Sequence, residues 1–392
     1  MKAMQVQYDV IIAGGGMVGA TLACLLGKLG KRVAVLEAYQ PTVFSPNDPY
    51  DLRVSALSRA SQRALLDTGA WDGIAARRAF PYEAMQVWDA TGSGEIRFDA
   101  ADLGEPDLGH IVENRVIQLA LLDTLQALDT VDWYCPDKLA ALVVNEQHVT
   151  VTLHSGQTLQ AQLLVGADGA QSKVRELAGI GMAIQDYGQK GLVCVVQTEF
   201  PHQFTAWQRF MPGGPLAFLP LAEGFCSIVW TLPADQADAM LRLSDSDFCR
   251  ELSQALDYRL GEVTAVGERA AVSLRGRHAD SYSQERVVLV GDAAHTIHPL
   301  AGQGVNLGIK DALELVAQIR QSSGDCGSTK VLRAYERARR GDNILTQKAM
   351  DGFRLLFGNT LTPWKILRNS GLTIVNRMGF LKYEMAKRAM GI

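Results

Sequence analysis

The sequence predicts an α/β fold in which a Rossmann-like nucleotide-binding domain carries an inserted β-sheet-rich domain and is followed by C-terminal helices. Three observations predict it. A strand–glycine turn–helix–strand unit opens the chain, two later buried strands end in turns of small residues, and residues 190–286 change to strand-like patterning.

In the opening unit, "YDVIIAGGGMVGATLACLLGKLGKRVAVLEA", Val10–Ala13 is a short apolar run and Gly14, Gly16 and Gly19 spell G-x-G-x-x-G. Val18–Leu29 has helical apolar spacing, Gly30 suits a helix C-terminus, and Arg32–Leu36 forms the second strand. Glycines there let the backbone turn sharply and approach a pyrophosphate, which sits at the positive end of the following helix. Glu37 lies 18 residues past Gly19, at the end of the second strand. A carboxylate in that position accepts hydrogen bonds from an adenosine ribose and repels a 2′-phosphate, so the expected tight ligand is FAD or NAD rather than NADP. A tight turn with no ligand is the plainer alternative.

The second unit, "VGADGAQSKVR" (Val165–Arg175), also follows a buried run, Leu163–Val165. Asp168–Gly169 is a turn dipeptide, Ser172 suits a helix cap, and Arg175 lies just inside that helix. Taken alone, it is an ordinary strand–turn–helix joint. The third unit runs from the strand-like "RVVLV" (Arg286–Val290) through "GDAAHTIHPLAGQGVNLG" into a helical pattern at Ile309–Ile319. Asp292, followed by two alanines, leaves room for a hydroxyl-rich ligand chain. Gly302, Gly304 and Gly308 leave bare peptide groups at a helix start, and Pro299 offers a rigid apolar face.

Between these units "SRASQRALLDTGAW" and "RVIQLALLDTLQAL" read as helices, and "MQVWDA" and "EIRFDA" as paired strands. "HVTVTLHSGQTLQAQLLVGADG" gives alternating strands joined near Ser155–Gly156. The insertion contributes "LVCVVQTEF", "AWQRFMP", "PLAFLPL", "FCSIVWTL" and "ERAAVSLRGR", with one helix near Asp245–Leu256. Helical spacing then continues to the end, broken by "SSGDCGST" and Pro363.

The totals bound the class. A chain of 392 residues exceeds one ordinary core and implies two domains. A net charge of −4 argues against a nucleic-acid binder. The six cysteines form no CxxC pair and no secretory leader opens the sequence, so free thiols in a cytoplasmic protein are expected. The uncharged stretch Val10–Gly27 is explained by the glycine motif within it rather than by a bilayer. His295 and His298 stand three apart without the further ligands a metal site needs, so no metal is expected; a hydrogen-bonded loop histidine and a proton relay both remain open.

The three motifs together resemble those of the flavoprotein aromatic hydroxylases of the para-hydroxybenzoate hydroxylase type. "DLRVSALSRAS", "LGHIVENRVIQLAL" and "GDAAHTIHPLAGQGVNLG" are closer still to the ubiquinone-biosynthesis hydroxylases of the UbiH/UbiF/VisC type, from about residue 7 to the C-terminus. The ending of the chain and "TAWQRFMPGGPLAFLPL" are most similar to the UbiF branch, while "LRVSALSRAS" and "MQVWD" also resemble the VisC (UbiI) branch.

The resemblance implies a GR2-type FAD-binding domain made of residues 1–80, 106–189 and 285–330, a substrate domain of 81–105 and 190–284, and a C-terminal helical region of 331–392. Gly14, Gly16, Gly19 and Glu37 would hold the ADP half of FAD, and Arg53 and Arg115 its phosphates and ribityl region. Asp168 and Gly169 would serve FAD and the passing nicotinamide, and Asp292 the ribityl hydroxyls. Pro299, Gly302, Gln303, Gly304, Val305 and Asn306 would line the isoalloxazine; Arg53, His298 and Pro299 form the expected catalytic group. Without the resemblance, a surface ion pair is the plainer account of Arg53 and Arg115.

The implied reaction is hydroxylation of a polyprenylated phenol or quinol in ubiquinone biosynthesis. NAD(P)H binds transiently and reduces the flavin, O2 adds at flavin C4a, and the hydroperoxide hydroxylates the ring. The demethoxyubiquinol step of the UbiF type is the first reading, and another ring position, of the UbiI or UbiH type, is the alternative. A flavin-dependent polyprenyl reductase and a non-catalytic FAD-bound subunit of the biosynthetic assembly fit the same cofactor motifs.

From Arg354 to Met390 the chain holds seven basic residues against Glu384 alone, with Trp364, Leu367, Ile374, Met378, Leu381 and Met385 at helical spacings. Two readings of this tail stand side by side. It contacts the inner face of a membrane or other ubiquinone-biosynthesis proteins, or it packs on its own FAD domain.

Overall fold

The computed structural model describes residues 7–297, 304–322, 324–359 and 361–391. Its first sheet is built on the strands Tyr8–Ala13, Val33–Leu36, Val131–Tyr134, Thr158–Gly166 and Val287–Leu289. Along the sheet the order is Val287–Leu289, Thr158–Gly166, Tyr8–Ala13, Val33–Leu36, Val131–Tyr134, all parallel. A short antiparallel strand (Ser283–Gln284) flanks one side, and Leu139–Val144 and Val149–Leu153 form an antiparallel arm on Thr158–Gly166.

Parallel strands covered on both faces read as continuous apolar runs, which is what "VIIA", "VAVL" and "LLV" are. Val10, Ile11, Ile12, Val33, Ala34, Val35, Leu163, Leu164 and Val165 are all fully buried in the largest hydrophobic core. The helices Met17–Lys28 and Gly304–Gln321 pack on this sheet and on each other. They approach closely because Gly308 leaves space for Val18; a Cβ there would stand 2.5 Å from the valine side chain.

The second sheet runs Glu95–Asp99, Ala84–Asp89, Thr205–Met211, Gly214–Pro220, Phe225–Pro233, Met182–Thr198, Val263–Ala279 and His295–Thr296. It is antiparallel except where Ala84–Asp89 meets Thr205–Met211. One face holds a separate core in which Leu192, Cys194, Phe218, Ile228 and Trp230 pack against the helix Asp245–Ala255. That face is closed, so the opposite one is available to the rest of the molecule.

Two differences from the sequence reading concern this region. A second helix, Ala234–Leu241, precedes the expected one. The strands Met182–Thr198 and Val263–Ala279 are each 17 residues long and begin or end well outside the apolar runs "LVCVVQ" and "AAVSL". The outer half of Met182–Thr198 is exposed from Ala183 to Asp186 and pairs with the outer half of Val263–Ala279 across a register shift near Asp186–Lys190, while Val263–Ala279 also pairs with His295–Thr296.

A third, three-stranded sheet (Val54–Ser58, Gly109–Glu113, Ala79–Tyr82) sits beside the first. The C-terminal region is a 30-residue helix, Thr329–Gly358, followed by Thr362–Arg377, with Pro363 in its first turn, and Gly379–Met390. All six cysteines are free thiols.

Candidate active site

The strand register explains how three distant sequence stretches reach one place. Ala13 pairs with Gly166 and with Leu36, and Gly166 pairs with Leu289. The carboxyl ends of four parallel strands therefore lie level, and the turns after them carry Gly14, Glu37, Asp168 and Gly291–Asp292. That edge of an open α/β sheet is where ligands bind.

Gly14 is left-handed (φ +105°) and packed against the Ala167 carbonyl, so no side chain fits there. A Cβ on Gly19 would overlap the Gly14 carbonyl oxygen, because the helix packs directly on the turn. Gly16 is different. A Cβ would meet nothing within 4 Å, since this glycine faces the open cleft at the start of helix Met17–Lys28. Glu37 accepts the Gly15 N–H at 2.8 Å and the Tyr39 N–H at 3.1 Å, which fixes its carboxylate at the cleft wall. Gln118 reaches the same turn from helix Asn114–Gln126 and donates to the Gly15 carbonyl at 3.0 Å.

Arg53 and Arg115 come together through the small sheet. Val54 pairs with Glu113, and the Asn114 N–H donates to the Arg53 carbonyl at 3.0 Å. Arg115 donates through Nε to Asp51 and through Nη1 to Asp48, both at 3.1 Å, and also to the Val43 carbonyl. The ion pair expected of a surface arginine is present, and it holds this guanidinium on the cleft wall. Arg53 is exposed into the cleft and makes none of the ion pairs seen among the described residues. Arg78, which the sequence reading passed over, lines the same wall with its guanidinium over the rings of Phe44 and Tyr50 and against buried Glu113. Burial pushes the Glu113 carboxyl above the usual range.

Asp168 caps the helix Lys173–Leu177, its Oδ2 accepting from the Lys173 and Val174 amides at 2.7 and 3.1 Å. Its Oδ1 is buried with no partner. Gly169 is left-handed (φ +78°), with open space where a Cβ would be. Ser172 caps the same helix as expected, at 3.0 Å from the Arg175 N–H. Arg175 does more than its place in the sequence suggests. It donates to the carbonyls of Ala293 and Ala170 and so ties the second turn to the third.

The third turn is a single 3-10 turn, Gly291–Ala293, with Gly291 left-handed (φ +59°). Asp292 keeps its surface open while protein crowds around it, and that burial pushes its carboxyl up, with His295, Arg53 and Arg277 acting in the opposite direction. The structure thus brings Arg53 within electrostatic reach of Asp292.

Beneath the turn lies a buried polar network that the sequence reading missed. Asp311 is fully buried and accepts the Gly291 N–H at 3.0 Å, His295 Nε2 at 2.6 Å and Arg339 Nε at 2.8 Å. Burial alone would raise Asp311, but His295 and Arg339 outweigh it and hold the carboxyl below the usual range. His295 is therefore committed to Asp311 and points away from the cleft.

His298, Pro299, Gly302 and Gln303 lie outside the described residues. Gly304 begins the next helix with open space at its Cβ position, and Val305 is half-buried. Asn306 differs from the expectation. Its amide is buried between the Ala56 carbonyl (2.8 Å) and the Ser58 N–H (3.1 Å), so it seats the helix start on strand Val54–Ser58 rather than presenting its side chain to a ligand.

A cleft of about 1950 Å³ runs from Gly16 and Glu37, past Arg53 and Arg115, to Val195, Gln197 and Phe225 on the second sheet. The second and third turns lie level with its glycine end at the same edge of the parallel sheet. Ordinary small-ligand pockets are about 300–1,000 Å³, so this one accommodates an elongated dinucleotide. Glycine-lined space at a helix N-terminus, an unpaired cation on the wall, and an orphaned carboxylate oxygen beside a further turn suit an anionic ligand with hydroxyl groups. Those residues fit a flavin dinucleotide.

The model of the FAD binding domain family matches residues 7–346. The chain is 39% identical over 387 residues to the 3-demethoxyubiquinol 3-hydroxylase of Escherichia coli K12, covering 98% of both chains. It is 38% identical to the ubiquinone hydroxylase UbiL of Rhodospirillum rubrum, covering 98% of this chain and 89% of that one. Among solved structures, p-nitrophenol 4-monooxygenase PnpA from Pseudomonas putida superimposes with a TM-score of 0.79 at 21% identity, covering 99% of each chain, which establishes the fold.

Proposed function

This chain belongs to the FAD binding domain family and, within it, to the ubiquinone-biosynthesis hydroxylases, and we propose that it hydroxylates the ring of a polyprenylated quinol at the demethoxyubiquinol step. FAD is the cofactor, NAD(P)H the transient reductant and O2 the oxygen donor. Bound FAD supplies the redox chemistry, taking a hydride from NAD(P)H and activating O2 for transfer of one oxygen atom to the ring.

In this reading Gly14, Gly16, Gly19 and Glu37 hold the adenosine and pyrophosphate. Gly16 lets the backbone close on the phosphates and Glu37 accepts from the ribose. Arg53 and Arg115 neutralise the phosphates, with Arg115 pre-set by Asp48 and Asp51. Asp292 accepts from the ribityl hydroxyls, and Asp168 Oδ1 and Gly169 bound the passage used by the nicotinamide. Amides at the positive N-terminal end of helix Gly304–Gln321 would be the donors available to stabilise negative charge on the flavin ring. We assign residues 1–80, 106–189 and 285–330 to the FAD domain, and 81–105 and 190–284 to the substrate domain.

The ring would sit against the free face of the second sheet. Val195 lines the cleft and pairs with Ser227, so both side chains point to that face. Ser227 Oγ is buried without a partner on a face otherwise rich in valine, alanine and leucine, and it is our candidate for hydrogen bonding to a ring oxygen. We read the enzyme as a cytoplasmic protein with peripheral contact at the inner face of the membrane, near other ubiquinone-biosynthesis proteins. No helix among the described residues is long and apolar enough to cross a membrane.

The single observation that carries the proposal is the level alignment of the three turns at one edge of the parallel sheet, where the cleft begins. The test is loss of NAD(P)H and O2 by the purified protein, with and without a short-chain demethoxyubiquinol. A hydroxylase consumes both faster with the quinol and releases a product one oxygen heavier. A reductase of polyprenyl chains oxidises NAD(P)H without net O2 use, and a non-catalytic subunit shows no stimulation by quinol; either result overturns the proposal.

A further inference from the structure

The C-terminal helices are packed inside out. Arg368 is among the largest fully buried side chains of the molecule. It donates through Nε to Asp89 at 2.8 Å, reaches the carbonyls of Leu356 and Asn359 and the hydroxyl of Thr91, and so closes on the end of strand Ala84–Asp89. Asn369 adds bonds to Asp89 (2.7 Å) and from the Gly94 N–H (2.6 Å). The next helix is pinned by Lys382 to Asp102 at 2.8 Å, with Ala386 and Met390 buried.

The apolar residues take the other side. Thirteen of the twenty-three large hydrophobic side chains exposed among the described residues fall between Leu345 and Met385. At about 100° per residue, Ile366, Leu367, Ile374 and Met378 share the arc of helix Thr362–Arg377 opposite Arg368 and Asn369. Phe380, Leu381 and Met385 share an arc of the last helix; Ile366 is 62% and Phe380 80% exposed. Water-facing helices normally show the reverse, and an apolar patch of this extent marks an interaction surface.

We propose that this helix pair is a docking surface for an anionic lipid bilayer. The proposal rests on the reading of the substrate as polyprenylated, and it names the surface involved. Charge favours a bilayer: with Arg368 and Lys382 set aside as ion-paired to Asp89 and Asp102, residues 354–390 still carry five basic side chains against one acidic one, on a chain whose net charge is −4. Arg388 and Glu384 lie on the same arc as Leu381 and Met385, and Arg388 has no carboxylate partner among the described residues. Lys387 lies over the Tyr383 ring (5.2 Å), and Trp364 is partly exposed, both suited to the interface between headgroups and acyl chains.

Position favours it as well. Leu355, exposed in the patch, also lines a cavity of about 320 Å³ with Phe357, Phe210, Met211 and Pro215 of the substrate sheet. Gln189, Arg354 and Asn359 add polar groups to its lining, and a mixed apolar and polar opening beside the docked face suits an amphipathic substrate that arrives from the lipid. The buried polar anchor holds the helices to the substrate sheet, which leaves their apolar arcs free for the membrane.

The test is flotation of the full-length protein with phosphatidylcholine vesicles, with and without phosphatidylglycerol. The protein is expected to float with the anionic vesicles. Ile366→Glu combined with Phe380→Glu should weaken binding at least about tenfold, and Arg388→Glu about fivefold on the anionic vesicles alone. FAD content and melting temperature should be unchanged. Failure of the wild type to float, equal flotation of the double variant, or a double variant that only splits a dimer in light scattering would each overturn the proposal; the last result assigns the surface to a second copy. Because no substrate or reductant is present, vesicle binding and hydroxylation can fail independently.

Discussion

The two ends of the chain obey opposite packing rules. At the N-terminal end, strand Tyr8–Ala13 and helix Met17–Lys28 bury their apolar side chains, and every close approach is made by glycine. At the C-terminal end, helix Thr362–Arg377 buries Arg368, half-buries Asn369 and exposes Ile366, Leu367 and Ile374. The first arrangement is stabilised within the chain and presents Gly16, Met17 and Glu37 to the cleft. The second contributes little apolar burial of its own and relies on a specific ion pair. Where pattern and burial agree, the residues build the fold; where they are inverted, the residues form the surface proposed above for docking.

The sharpest way to break this comparison is at the first turn. Gly19→Ala forces a methyl group into the Gly14 carbonyl, so the variant should lose FAD and about 3 kcal/mol of stability, read from flavin absorbance and denaturant unfolding. Close behind it stands Arg368→Ala, which strands buried Asp89. A cost of about 3 kcal/mol is expected, localised to the helix pair, so limited proteolysis near Asn359–Leu361 should accelerate while FAD stays bound. Global unfolding with loss of flavin would show that the helices belong to the core after all.

Asp311→Asn probes the network under the third turn. The folded-state carboxyl lies below its ordinary range, so it contributes stability above the unfolded value near pH 4 and loses it as pH falls through the folded value. The variant should therefore be less stable than the wild type by about 2 kcal/mol at neutral pH, and the gap should close on acidification below about pH 4, followed by thermal melting across pH. Asp292 has the opposite shift. Its raised carboxyl should take up a proton at higher pH than an ordinary aspartate. FAD should then dissociate more readily as pH falls, whereas Asp292→Asn should bind weakly with a flat pH profile in flavin fluorescence. The smallest effect belongs to Phe380→Glu, which should change stability by less than about 0.5 kcal/mol because the ring is already in water.

Legibility in the sequence followed the same division. Local chemistry was readable: glycines at Gly14, Gly16 and Gly30, the Ser172 cap, the small residues after Asp292, and the paired strands "MQVWDA" and "EIRFDA" all behave as their residue types require. Long-range partnership was not. The strand Val131–Tyr134 is a polar-looking "VDWY" that exists because it completes the parallel sheet beside Val33–Leu36. The outer half of Met182–Thr198 has no apolar alternation, and only its pairing with Val263–Ala279 makes it a strand. Arg175, Asp311 and Asn306 each find partners across the chain, so their roles became visible only with the fold, although an aspartate within the apolar stripe "IKDALEL" was a signal for Asp311. Arg368 was counted with the basic residues of the tail, and nothing in its neighbours distinguishes a buried anchor from a solvated charge.

The central claim is that three separated turns grip one flavin, and titration of FAD into the apo-protein, followed by quenching of flavin fluorescence, tests it most directly. The account predicts saturable, stoichiometric binding that is weakened separately by Gly16→Val in the first turn, Gly169→Val in the second and Asp292→Ala in the third. A wild-type chain that takes up no FAD, or binding that ignores changes in the second and third turns, would contradict it.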